Sequence, residues 1–209
     1  MFMQNASAFR RAEKIGFSLN GLPAAPGLSR AGILAASLIE TPQGWCRAGA
    51  LMRGSLVQTW DGGLRPVAAL ERSYLVPETG DGLIHVPGGA LDNCADLWLM
   101  PGQAVLIGSD VVREVLEAEG ALVPARDLVG FRGIGVGRTE KMAEMVTLRF
   151  AEDEIAYVNS GALVHCAGLR GMSAPAGYFP RLAGARARAM LDLIADGALT
   201  SAGAAARVA

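Results

Sequence analysis

Along the middle of the chain, apolar and polar residues alternate in short runs, and glycine and proline separate the runs. Such period-two alternation predicts half-buried β-strands. Regular patterning begins near Ile33. Residues 37–45 predict a strand running into a turn around Pro42 and Gly44. Residues 54–59 predict a second strand, Asp61-Gly62-Gly63 a tight hairpin turn, and residues 64–70 the returning partner. Six turn residues between Glu71 and Leu97 (Pro77, Gly80, Gly82, Pro87, Gly88 and Gly89) predict a series of turns around short apolar pairs. Residues 104–107 and 121–124 give two more aliphatic strands. Residues 131–136 and 145–150 predict strands on either side of a charged turn at 138–141, and residues 155–161 with 163–166 predict a further hairpin.

Two segments have helical spacing instead. In residues 111–120, Val112, Val115 and Leu116 oppose Glu114, Glu117 and Glu119, which predicts one short helix stopped by Gly120. Residues 181–196 are rich in helix formers, with Leu182, Met190, Leu191 and Ile194 available for a buried face and Gly197 placed to cap them. The residues beyond are mostly Ala and Gly and are expected to fray. Ahead of the patterned region, residues 1–30 predict an arm with a short helix carrying Phe9, Ala12 and Ile15, broken by Asn20-Gly21 and by Pro23 and Pro26.

Composition narrows the functional classes. A chain of 209 residues is long enough for one domain with a full core. The net charge of −1 gives no global basic field, so neither nucleic acid nor an anionic membrane is an expected partner. No stretch approaches the roughly 20 apolar residues of a membrane span. No apolar run follows Arg10, Arg11 and Lys14 as a signal peptide requires, so a soluble, cytoplasmic protein is expected. Cys46, Cys94 and Cys166 lack metal-ligand spacing and read as small buried hydrophobes in a reducing compartment. With only two histidines, His85 and His165, no zinc site is expected, and His85 reads as a strand residue. Gly133-Ile134-Gly135-Val136-Gly137 is followed by no helical pattern, so it is not read as a phosphate cradle. No cofactor is expected.

Several motifs occur in a fixed order. Ala36-Ser37-Leu38-Ile39-Glu40-Thr41-Pro42-Gln43-Gly44 precedes Gly54-Ser55-Leu56-Val57-Gln58-Thr59-Trp60-Asp61-Gly62-Gly63 and a Pro66-Val67 strand. Met100-Pro101-Gly102-Gln103-Ala104-Val105-Leu106-Ile107 precedes Leu122-Val123-Pro124-Ala125-Arg126-Asp127-Leu128. In order and spacing these blocks resemble the Hint domain, the fold shared by hedgehog autoprocessing domains and inteins. The resemblance implies a mainly β fold of twisted antiparallel strands, with one short internal helix and a C-terminal helix. It divides the chain into an arm at 1–31, a Hint-like β domain at 32–171, and a C-terminal helix and tail at 172–209. The arm and the terminal helix are the expected covers for open sheet edges.

A working Hint domain converts a backbone amide at its start into an ester or thioester. That step needs a Cys, Ser or Thr nucleophile, a His to protonate the leaving nitrogen, and a neighbouring Ser or Thr to fix the peptide. The resemblance places the nucleophile at Gly32, the Ser or Thr at Met100 and the His at Gln103, and two later histidines at Thr147 and Asp153. None of these residues supplies a nucleophile and proton donor pair at neutral pH. General acid–base catalysis of roughly 10² to 10⁴ is lost with them. The expectation is a catalytically inactive domain with a structural or protein-binding role, as a subunit of a larger assembly or a homo-oligomer with other protein subunits as partners.

The competing reading is autoproteolysis by a displaced nucleophile, Cys166 with His165, or Ser29. Neighbouring strand residues point to opposite faces, so His165 and Cys166 are not expected to meet; a buried Cys and an edge or surface His are the simpler expectation. Ser37 reads as a residue satisfying local backbone. A third reading, a barrel that binds a small molecule, needs an apolar pocket with converging polar groups. Convergence of Gly32, Gln103 and Cys166 would leave the old cleft as a cavity; side chains filling it would favour a scaffold.

Overall fold

The structure, a computed structural model, describes residues 30–76, 82–138, 140–169 and 178–205. Its strands are β1 (Ile33–Leu34), β2 (Leu38–Thr41), β3 (Gly44–Arg47), β4 (Leu56–Thr59), β5 (Gly63–Pro66), β6 (Ala69–Leu75), β7 (Leu83–Val86), β8 (Leu97–Leu99), β9 (Ala104–Ile107), β10 (Ala121–Pro124), β11 (Gly135–Gly137), β12 (Ala143–Arg149), β13 (Glu154–Val158) and β14 (Ala162–Cys166). Two helices accompany them, α1 (Asp110–Leu116) and α2 (Ala185–Ala205).

The strands form two antiparallel sheets. The first runs β11-β7-β8-β1-β12-β6; the second runs β10-β9-β14-β13-β2-β3, with the β4–β5 hairpin attached through β13. The chain repeatedly leaves one sheet for the other at a tight corner. The β1–β2 corner closes with Ser37 N–H donating to Leu34 O at 2.9 Å, and the β8–β9 corner with Gln103 N–H donating to Met100 O at 2.9 Å. Apolar positions of both sheets and both helices then share one core, which includes Ile33, Leu99 and Val146 from the first sheet and Val57, Val105 and Val158 from the second. Val112 of α1 and Met190, Leu191 and Ile194 of α2 close it. Ser109 caps α1, its hydroxyl accepting from Val112 N–H at 3.1 Å.

The fold is mainly β with one short internal helix and a C-terminal helix, as the patterning and the resemblance imply. Several details differ. The segment expected to form a series of turns around short apolar pairs between Glu71 and Leu97 contains most of β6 and all of β7, which draw their order from pairing with β12 and β8. The strand expected over 64–70 is split: β5 pairs β4, and β6 crosses to the other sheet. Residues 131–136 form a short 3-10 turn at Phe131–Gly133 before β11. The internal helix ends at Leu116, with Glu117 taking the left-handed turn (φ 51°) instead of Gly120. α2 continues through Gly197 to Ala205. The outer edge of β10 is met by residues 180–182 and not by α2 itself. Leu122 N–H donates to Pro180 O at 2.8 Å and Leu182 N–H to Leu122 O at 2.9 Å, so the segment entering α2 covers it. The expected arm helix lies outside the described residues.

Candidate functional site

β1 is a two-residue strand in the middle of the first sheet, with Ile33 opposite Leu99 of β8 and Val146 of β12. One residue earlier, the same register brings Gly32 between Met100 and Thr147. Hydrogen bonds hold three successive carbonyls there. Met100 N–H donates to Gly32 O at 2.9 Å, Thr147 Oγ1 donates to Ala31 O at 2.7 Å, and Gly102 N–H donates to Arg30 O at 3.0 Å. The chain is therefore gripped on both sides of the Ala31–Gly32 peptide.

Gly32 has φ +151°, a conformation that favours glycine. A Cβ at this position would lie 3.2 Å from Thr147 Oγ1, 3.3 Å from Val146 O and 3.4 Å from Met100 Sδ. Met100 is itself buried against Leu75, Leu83 and Met145. The space beside the peptide is thus closed by a thioether and a hydroxyl. Gln103 is buried too, but its amide turns toward the second sheet, with Nε2 donating to Ala104 O at 2.9 Å and His165 O at 2.7 Å. Of the positions singled out in the sequence, Gly32, Met100 and Thr147 come together, whereas the side chains of Gln103 and Asp153 bond elsewhere.

Cys166 belongs to the main core. Burial pushes its thiol up to about 12, so it stays protonated at neutral pH and is a poor nucleophile. Cys94 is exposed and Cys46 half-buried, which corrects the expectation that all three cysteines are interior. Ser37 is buried at the β1–β2 corner, its carbonyl accepting from Ala48 N–H at 2.8 Å. His85 sits on β7, where Nε2 lies 2.8 Å from Asp96 Oδ2. Ser29 lies outside the described residues.

His165 is not the edge or surface residue expected. Its exposure is 8%, and Nε2 lies 3.2 Å from Asp153 Oδ1 and 3.4 Å from Arg181 Nη2. Burial, and then the Arg181 cation, hold its pKa below the ordinary histidine value, while Asp153 pulls the other way. The ring belongs to a polar network that sequence reasoning missed. Glu154 Oε2 accepts from Thr59 Oγ1 at 2.8 Å, and Arg65 Nε lies 3.0 Å from Glu154 Oε1. Asp61 accepts from Ile155 N–H at 2.9 Å and from the Tyr178 hydroxyl at 2.7 Å. Burial raises Glu154 above the usual carboxylate range; burial and the bond to Asp61 raise the Tyr178 phenol.

One signal for this network was present in the Asp61-Gly62-Gly63 turn. A Cβ at Gly62 would overlap the Glu154 carboxylate, so the glycine pair marks a close approach as well as a turn. Tyr178 and Arg181 arrive from far along the chain and gave no local signal. Among the described residues no buried side-chain nitrogen or oxygen lacks a partner, and no group of three or more His, Cys, Asp or Glu is placed to hold a metal. No helix of the described residues is long and apolar enough to cross a membrane.

A family model described as the Hint domain matches residues 32–164, more than half of the chain. The solution structure of a bacterial intein-like domain from Clostridium thermocellum is similar at 15% identity and a TM-score of 0.48, covering 66% of this chain and 99% of that one. A splice-inactive variant of the AceL NrdHF class 3 split intein is similar at 10% identity and a TM-score of 0.45, covering 66% and 97%. The gp41-1 intein gives 12% identity and a TM-score of 0.41, covering 67% and 100%. No curated protein matches the chain. By the family match over residues 32–164, this chain belongs to the Hint domain family.

Proposed function

We propose that the chain is a catalytically silent Hint domain with a structural or protein-binding role, serving as a subunit that keeps its N-terminal segment covalently attached. The observation carrying this reading is the Ala31–Gly32 peptide. Its carbonyl is gripped by Thr147 Oγ1 at 2.7 Å, yet the adjoining residue is a glycine whose Cβ position abuts Thr147 Oγ1 and Met100 Sδ at 3.2 and 3.4 Å. A hydrogen bond to a carbonyl assists attack only where a nucleophile is in reach. Gln103, in place of a histidine, is a neutral amide with no proton to transfer. Cys166, the displaced nucleophile of the competing reading, is a protonated thiol in the core. Support for a binding role comes from β3, which among the described residues pairs only with β2 and leaves Trp45 42% exposed.

Incubating the purified chain with excess dithiothreitol, followed by intact-mass spectrometry, tests the silence. One full-length mass is expected. Thiol-dependent fragments would instead establish self-cleavage.

A further inference from the structure

Residues 178–184 run as a strap across the second sheet into α2. Backbone bonds tie it to β10 through Pro180 and Leu182, at 2.8 and 2.9 Å. Tyr178 is bonded to Asp61 at 2.7 Å, and Gly184 N–H donates to Asp127 Oδ2 at 3.0 Å. Beneath Tyr178 and Phe179 lies an apolar cluster of Ala104, Leu106, Leu122 and Ile155. The strap thus covers both an apolar patch and the outer edge of β10.

A further fastening is between Arg181 and His165, and it is contested. Asp153 Oδ1, at 3.2 Å from His165 Nε2, is an acceptor and needs a proton on that nitrogen. Arg181 Nη2, at 3.4 Å from the same nitrogen, is a donor and needs its lone pair. A single ring nitrogen cannot serve both at once. We propose that His165 is a proton-operated latch on the strap: with Nε2 unprotonated it accepts from Arg181 and holds the strap, and as imidazolium it donates to Asp153, repels Arg181 and loosens the strap from β10.

The groups facing the ring come from each element around it. Asp153 lies in the β12–β13 turn, Arg181 and Tyr178 on the strap, and Asp61 in the β4–β5 turn. Ahead of β9 the neutral Gln103 amide is bonded to the His165 carbonyl at 2.7 Å. Burial and Arg181 outweigh the two aspartates and lower the ring's pKa, so the ring is neutral at pH 7 and charges only in acid. Loosening would bare the N–H and C=O groups along β10's outer edge, where a further strand can add.

NMR of the full chain between about pH 8 and about pH 5, following the His165 ring and the Leu122 and Leu182 amides, tests the latch. Both amides should titrate with the midpoint of the ring, below the ordinary histidine value. Their exchange, corrected for intrinsic rate, should quicken about tenfold in acid, as expected for losing a charge-assisted bond. Arg181→Gln changes an exposed residue, so the fold should survive. In this variant the ring midpoint should rise and the amide response should vanish. The latch is overturned if the ring titrates while both amides stay put, if the amides respond equally in Arg181→Gln, or if His165 stays neutral until the chain unfolds.

Discussion

The hydroxyl of Thr147 donates to the carbonyl of Ala31 at 2.7 Å, linking residues 116 positions apart at the point where the chain enters β1. In this chain the bond anchors the entry of a central strand that is only two residues long. Thr147→Val keeps the shape and leaves the carbonyl without its donor, so a loss of ~1–2 kcal/mol is expected. Urea unfolding should show a lower midpoint at an unchanged slope. A fall beyond this range would mean that Thr147 does more than hold the carbonyl.

Putting a thiol back at the start of the domain should not restore cleavage. Gly32→Cys places a side chain at φ +151°, 3.2 Å from Thr147 Oγ1 and 3.3 Å from Val146 O, without supplying a proton donor. A loss of ~1–3 kcal/mol is expected from the strained backbone. The melting temperature should fall by roughly 2–4 °C per kcal/mol for a chain of this size. The mass should remain that of the full chain.

Asn159 joins three segments. Its Oδ1 accepts from Leu38 N–H at 2.8 Å, and its Nδ2 donates to Asp96 O at 3.0 Å and Ala95 O at 3.4 Å, from a left-handed backbone of φ 47°. Asn159→Ala removes these part-buried bonds and should cost ~1–3 kcal/mol. Asn159→Gly loses the same bonds but adopts the left-handed conformation freely, so it should be milder by ~1 kcal/mol. Chemical denaturation of the two variants separates the backbone contribution from that of the side chain.

The folded state holds His165 below its unfolded value of about 6.5. As pH falls through that value, the unfolded chain takes up its proton first. The stability associated with neutral His165 is therefore complete above about pH 6.5 and is lost as pH falls toward the folded-state value. Glu154, raised by burial, acts in the opposite sense: its contribution grows as pH falls through its folded-state value. An acid-side loss beginning near neutrality thus belongs to His165, and His165→Gln should flatten it. Unfolding free energies of both proteins at pH 7.5 and about pH 5.5 check this.

The thiols should react in order of access. Cys94 is exposed, Cys46 half-buried and Cys166 enclosed, its thiol pushed up to about 12 by burial. A thiol-specific reagent under native conditions should modify Cys94 fastest and reach Cys166 only on unfolding. Fast native labelling of Cys166 would reopen its candidacy as a nucleophile.

Where local patterning decided the structure, the sequence was legible. Asp61-Gly62-Gly63 marked the β4–β5 hairpin, and the apolar runs of β9 and β10 marked a buried pair, since both signals lie within a few residues. β6 and β7 were hidden because glycines and prolines surround them and their order comes from partners far along the chain. Gly197 looked like a helix stop, but it lies inside α2, where a Cβ would come within 3.3 Å of Val111 Cγ2, so glycine there suits close packing against α1. At the site, the family resemblance pointed to Gly32, Met100 and Thr147, and the backbone brings them together. The burial of His165 was not legible, because the strap that covers it arrives from residues 178–182.

Most decisive for the Ala31–Gly32 peptide is hydroxylamine trapping. Hydroxylamine captures an ester or thioester at that carbonyl as a hydroxamate, whichever side chain formed it. After prolonged incubation, intact-mass and peptide analysis should find only the full chain, with the peptide spanning Ala31 and Gly32 uncut. A hydroxamate on Ala31, or a new fragment beginning at Gly32, would contradict the silence of this domain.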